Sequence, residues 1–168
     1  DRKTTKEFLE NAGIFTEPAE LIAIFKDMSG YPIAMSILLQ YMKGGKNYDH
    51  KILGEVKQEL FRYFDEMVFN RFDENVRSML LSLAPFESIN IELAKMVSGD
   101  SNAGEIINYL LCDTTMFRND YVEEYELFDI FKEYLLWKMK YTLCDSEIHE
   151  MYARGGLYYE LQNDRVRA

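Results

Sequence analysis

Apolar residues recur every three or four positions along most of the chain, and short polar turns separate one run from the next. This spacing places apolar side chains on one face of a helix. Gly13, Gly30 and Gly99 follow such runs, at the position where glycine commonly ends a helix. Pro32 stands where it would occupy the first turn of one. The pattern predicts helices over residues 5–12, 17–28 (capped by Thr16), 32–43, 49–70, 74–84, 91–97, 102–112, 127–141 and 145–161.

The stretch from residue 88 to residue 125 carries the most specific pattern. Asn90 is a good N-cap for a first helix, and Gly99 breaks the chain before a second. Residues 114–118 and 121–125 then read as two short strands around Asn119 and Asp120, which tolerate positive φ and predict a hairpin tip. Helix, turn, helix and hairpin in this order predict a winged helix.

The second helix of this stretch lacks the charge that a DNA reader needs. A helix in the major groove uses Lys or Arg to contact phosphates and base edges. Between residues 102 and 113 the charged side chains are Glu105 and Asp113, and the whole chain has a net charge of −10. The order of elements therefore suggests a DNA reader, whereas the charge argues against one.

Composition indicates a folded chain of one domain or two small ones, because 48% of its 168 residues are hydrophobic and 14% are aromatic. No run approaches the length of a membrane span, and the first residues lack the apolar segment of a signal peptide. Cys112 and Cys144 lie in apolar helical patterns, which predicts small core residues in a reducing cytoplasm.

Motifs of catalysis are absent from the sequence. It contains no glycine-rich phosphate loop and no serine nucleophile elbow, and it has only two histidines. We therefore predict neither catalytic activity nor a metal site. Gly155 and Gly156 lie inside a helical pattern, where small residues permit close helix packing.

Three early segments, at residues 5–14, 21–28 and 29–38, together resemble the helical lid that follows the nucleotide-binding domain of STAND-type signal-transduction ATPases. Gly30, Tyr31 and Pro32 match the GxP motif of that lid. Residues 76–134 resemble the winged helix of the MalT-like branch of LuxR-type transcriptional regulators. Residues 148–159 look like the entry into that branch's helical-repeat sensor arm.

The resemblance implies a mainly α fold: a helical lid, a winged helix with one small β-hairpin, and the first helix of a repeat array. The implied domains are a lid after a missing nucleotide-binding domain (1–46), a connecting helix (47–72), the winged helix (73–142) and the start of the repeats (143–168). It further implies a regulatory relay in a cytoplasmic, ATP-dependent transcriptional regulator. The relay would couple nucleotide state and inducer sensing to a DNA-binding domain elsewhere, without membrane contact.

ATP or ADP would be the cofactor of the longer protein, with no tight binding expected to this stretch alone. By resemblance, Gly30, Tyr31 and Pro32 are the candidate cofactor-binding residues, the proline packing against adenine. The other reading of Pro32 is a simple helix-start proline. The intramolecular partners would be the nucleotide-binding and repeat domains, and the inducer is an unidentified small molecule or protein.

One position departs from the family pattern. The branch has His-x-Leu-Phe-x-x-Tyr-Leu where residues 128–135 read Phe-Asp-Ile-Phe-Lys-Glu-Tyr-Leu. Phe128 therefore replaces a histidine that faces the nucleotide phosphates, and it cannot donate a hydrogen bond. Two alternatives to the relay stay open: an independent winged-helix module that binds DNA or protein, and a helical-repeat adaptor.

Overall fold

The fold is known from a computed structural model, which describes residues 2–43, 47–113, 116–121 and 124–162. It forms two compact units, Asp1–Phe69 and Asn70–Ala168. Helices dominate both units, which confirms the predicted mainly α class. Among the described residues, no helix is both long and apolar enough to pass through a bilayer.

The described residues of the first unit form four helices, which pack in pairs, the first on the second and the third on the fourth. Along α4, apolar residues at every fourth position are buried, as an amphipathic helix requires. The phenol of Tyr48 ties the start of α4 to α2, because it donates to Asp27 Oδ2 at 2.7 Å. Burial and this hydrogen bond raise the pKa of Tyr48. The helices are α1 (Arg2–Asn11), α2 (Pro18–Met28), α3 (Pro32–Met42) and α4 (His50–Met67).

The second unit contains five α-helices and one hairpin among its described residues, after a short 3-10 helix at Phe69–Arg71. Its core lies where α5 meets α6, α7 and α8. The elements are α5 (Glu74–Leu83), α6 (Ile91–Ser98), α7 (Ala103–Asp113), β1 (Phe117–Tyr121), β2 (Glu124–Leu127), α8 (Asp129–Thr142) and α9 (Asp145–Leu161).

The hairpin is joined to the segment before α6 by a pair of backbone hydrogen bonds. The Ile89 amide donates to the Tyr125 carbonyl, and the Tyr125 amide donates to the Ile89 carbonyl, both at 2.8 Å. β1 runs antiparallel to β2, with Phe117 opposite Leu127. Residue 89 therefore supplies a third strand position beside β2, and the predicted winged helix is confirmed.

Both predicted signals at the ends of α6 are confirmed. The Asn90 side-chain oxygen accepts a hydrogen bond from the Leu93 amide at 2.8 Å. Gly99 ends the helix in the left-handed conformation, with φ 70°. The two signals hold α6 to eight residues and leave room for the turn into α7.

The hairpin tip was placed wrongly from the sequence. Asn119 and Asp120 lie inside β1 rather than between the strands, and β2 begins at Glu124. The Ile89–Tyr125 pairing fixes β2, and the register of β1 shifts between Arg118 and Tyr121. Turn preference is a local signal, and this long-range pairing overrides it. Residues 114, 115, 122 and 123 of the predicted strands lie outside the described residues.

Two further local predictions were wrong. The N-cap of α2 is Glu17 rather than Thr16, because Pro18 takes the first helical position. Cys112 and Cys144 are exposed rather than buried. Cys112 lies on the outer side of α7, and Cys144 precedes α9 as its N-cap, outside any apolar stripe.

The four predicted domains stay a prediction. The helix predicted to connect lid and winged helix, α4, packs against α3 inside the first unit. Residues 163–168 of the predicted repeat region lie outside the described residues.

We expect Asn90→Ala to lower the free energy of unfolding of the second unit by about 1–2 kcal/mol, because α6 loses its cap and the side-chain hydrogen bond to Tyr158 is also lost. Asp73→Ala is the matched control, since Asp73 is the N-cap of α5 but makes no side-chain cap hydrogen bond. The control should lose less than about 0.5 kcal/mol. Urea unfolding followed by the fluorescence of Trp137, the chain's single tryptophan, measures both. Equal losses would contradict the assigned cap.

Candidate functional site

The turn between α2 and α3 carries the three candidate cofactor-binding residues. Ser29 and Gly30 are both left-handed, with φ 51° and 67°, so the chain reverses within a few residues. The Tyr31 amide donates to the Met28 carbonyl at 2.9 Å, which closes the turn. Pro32 then starts α3 at its first position. The structure thus brings the three residues together in one tight turn.

Tyr31 holds this turn against α4. Its ring lies 5.6 Å from that of Phe64, centroid to centroid, at an angle of 55°. Burial, with a smaller contribution from Tyr63, raises the pKa of the Tyr31 phenol, which is therefore neutral at physiological pH. Pro32 is exposed. Its role as a helix-start residue is confirmed, and its contact with a nucleotide stays a prediction.

The outer face of α7, the helix that would read DNA in a winged helix, is formed by acidic, polar and aromatic side chains. Glu105, Asn108 and Cys112 are exposed, and Tyr109 is 45% exposed. The buried side of the helix packs into the core. Since α7 contains no Lys or Arg, its outer face offers nothing to neutralise a phosphate.

A groove of about 310 Å³ runs beside this face, between α7 and the start of α5. The ring of Tyr109 meets that of Phe72 edge to face, with 6.4 Å between centroids. The sequence does not predict this groove, because nothing in the spacing of residues 71–76 links them to α7. Its charged lining residues comprise two carboxylates and one guanidinium; the full lining is Arg71, Phe72, Asp73, Val76, Glu105, Ile106 and Tyr109.

The sequence pattern predicts that Phe128 lies within the helix over residues 127–141. In the structure, Phe128 instead precedes α8 as its N-cap. It is half-buried, and its amide donates to the Met116 carbonyl at 3.0 Å. Phe131, one turn later, is 1% exposed. The position where the family has histidine is thus at the amino end of α8, the positive end of the helix dipole.

Side chains that could hold a metal do not converge in the part of the chain that the structure describes. No group of three His, Cys, Asp or Glu side chains is arranged around a common point there.

Residues 64–146 match the family model of the MalT winged helix domain. The matched segment starts in the last turn of α4 and ends in the first turn of α9, so it contains α5, α6, the hairpin, α7 and α8 in full. The match supports a MalT-like family for this chain and agrees with the resemblance found at residues 76–134. No curated protein matches the chain in a direct comparison.

Phe128→Ala should cost about 1–2 kcal/mol of stability, since a half-buried ring removes only part of its area from water. Phe131→Ala, one turn into α8, is the control and should cost about 3–5 kcal/mol, because its ring is fully buried. Thermal and urea unfolding of the two variants give the comparison. If Phe128→Ala were the more costly substitution, Phe128 would be a core residue.

Proposed function

We propose that this chain is the regulatory relay segment of a cytoplasmic, ATP-dependent transcriptional regulator. In this proposal it couples nucleotide state and inducer sensing to a DNA-binding domain elsewhere in the protein, and it has no catalytic activity of its own. The observation that carries the proposal is the match of residues 64–146 to the MalT winged helix domain. The absence of basic residues from α7 supports a signalling role over a direct DNA-reading one.

In this proposal the first unit contributes the lid over a nucleotide bound by another domain. The GxP turn supports this role in two ways. Its backbone is held by the Tyr31–Phe64 ring contact, and its Pro32 ring is exposed at the surface. A rigid turn that presents an apolar ring suits packing against a planar base, and the phosphates would be bound elsewhere.

A second candidate function is a winged-helix module that binds protein. The groove beside α7 favours it, because Phe72, Ile106 and Tyr109 line it together with charged side chains. A hydrophobic centre with a polar rim is the usual composition of a protein interface. The relay is preferred, since it also accounts for the matched family.

The chain should not bind duplex DNA at physiological salt, because its net charge is −10 and α7 contains no Lys or Arg. Fluorescence anisotropy with random-sequence duplexes tests this. The comparison variant combines Glu105→Lys with Asn108→Lys and so places two lysines on the exposed face of α7. It should bind more tightly than the natural chain at low salt. Salt-dependent binding of the natural chain at micromolar concentration or tighter would contradict the proposal.

In the longer protein that contains the nucleotide-binding domain of this proposal, Pro32→Ala should weaken ADP binding by about threefold to tenfold. The reason is that the surface packing on adenine shrinks. Pro18→Ala is the matched control, since Pro18 is likewise an exposed proline at the first position of a helix. Isothermal calorimetry gives both affinities. The same affinity in both variants would make Pro32 a helix-start residue and nothing more.

A further inference from the structure

Helix α9 lies almost entirely beyond the matched winged-helix domain, which ends at residue 146. It nevertheless packs along α6, inside the second compact unit. The resemblance described above implies that α9 is the first helix of a repeat array. Its contacts decide whether it is free to move against the winged helix.

The connection between α8 and α9 is only two residues long, and both residues are held. The Leu143 amide donates to the Met139 carbonyl at 2.9 Å and so continues the hydrogen bonding of α8. The Cys144 amide donates to Glu147 Oε2 at 2.7 Å, as one half of a capping box at the start of α9. This hydrogen bond lowers the pKa of Glu147. The connection therefore has no unrestrained residue that could act as a hinge.

Further along, α9 contacts both ends of α6. Arg154 Nη1 donates to the Val97 carbonyl at 3.2 Å, in the last turn of α6. A cation is favourable there because the carbonyl end of a helix is negative. One turn later, the Tyr158 hydroxyl accepts a hydrogen bond from the Asn90 side-chain amide at 2.8 Å. Since residue 154 meets the end of α6 and residue 158 its beginning, the two helices run antiparallel.

Between these polar contacts, Gly155 is packed directly against Phe86. A Cβ atom built on Gly155 would overlap the Phe86 ring, so only glycine permits this approach. The same ring lies 6.3 Å from that of Tyr159, centroid to centroid. Phe86 is in turn fixed to α8, because Lys132 Nζ donates to its carbonyl at 2.8 Å. The predicted close packing is thus confirmed for Gly155.

We propose that α9 is a rigid extension of the winged helix, so that any rotation of the winged helix turns α9 with it. Three features restrain α9: the short, hydrogen-bonded connection to α8, the polar contacts at both ends of α6, and the Gly155–Phe86 contact. As a statement about signalling, the inference deepens the proposed relay and rests on it. As a statement about mechanics, it concerns this chain alone.

Amide hydrogen exchange of the 168-residue chain tests the mechanics without reference to any signal. Residues 148–159 of α9 should exchange as slowly as those of α6 and α8, because the three helices open together. Much faster exchange of α9 while α6 and α8 stay protected would overturn the proposal, since α9 would then open by itself. This measurement is independent of the DNA and nucleotide titrations that test the relay.

A pair of glycine substitutions tests the contact that holds α9. Gly155→Ala should speed exchange in α9 about tenfold or more, because the added methyl group meets the Phe86 ring. Gly54→Ala is the matched control: its Cβ would meet nothing within 4 Å in α4, so α9 should exchange as in the parent. Combining Gly155→Ala with Phe86→Leu removes the ring atoms nearest the methyl group and should restore much of the protection.

Unchanged exchange in Gly155→Ala would contradict the role of this contact and with it the proposal. If Gly155→Ala fails to fold, Arg154→Met provides the second test. That variant keeps the side-chain stem but loses the hydrogen bond to Val97. It should speed exchange in α9 while leaving α8 unchanged, and equal rates in Arg154→Met and the parent would count against the proposal.

Discussion

The winged helix depends on the backbone pairing between Ile89 and Tyr125. These two hydrogen bonds join the segment before α6 to the second strand of the hairpin, and the Ser88 hydroxyl adds a bond to Glu124 at 2.8 Å. The same short segment also supports its neighbours: Phe86 packs under α9 and Asn90 caps α6. Residues 86–90 therefore connect the hairpin, α6, α8 and α9. Buried Ile89 cannot leave this position without exposing unpaired backbone groups, which makes the segment costly to open.

The surface on this framework is more informative about function than the framework itself. A helix that reads DNA in the major groove commonly uses Lys or Arg, and α7 has neither. Glu105 and Tyr109 are exposed on α7 and line the groove beside it. The exposed face of this winged helix's α7 thus carries a carboxylate, Glu105, and no cation. The likeness to the MalT winged helix domain supports a regulatory segment.

Rigidity recurs at the two places where this chain would pass on a signal. In the first unit, the GxP turn is held by the Tyr31 ring on Phe64. In the second, α9 is held by Gly155 and by Arg154 at the end of α6. Both contacts restrain an element against its neighbour, as movement of the two as a rigid body requires. They are also local, and each can be removed by one substitution.

Sequence by itself determined the features that depend on neighbouring residues. Asn90 and Gly99 gave the ends of α6, Pro32 gave the start of α3, and the apolar spacing gave α9 its observed bounds, because caps and helical periodicity are local. Tertiary structure decided the rest. The hairpin register follows from the pairing of Tyr125 with Ile89, which lies 36 residues earlier in the chain. The partner of Gly155 is Phe86, and the exposure of Cys112 depends on which side of α7 faces the core. Such pairings join distant residues, so no local pattern contains them.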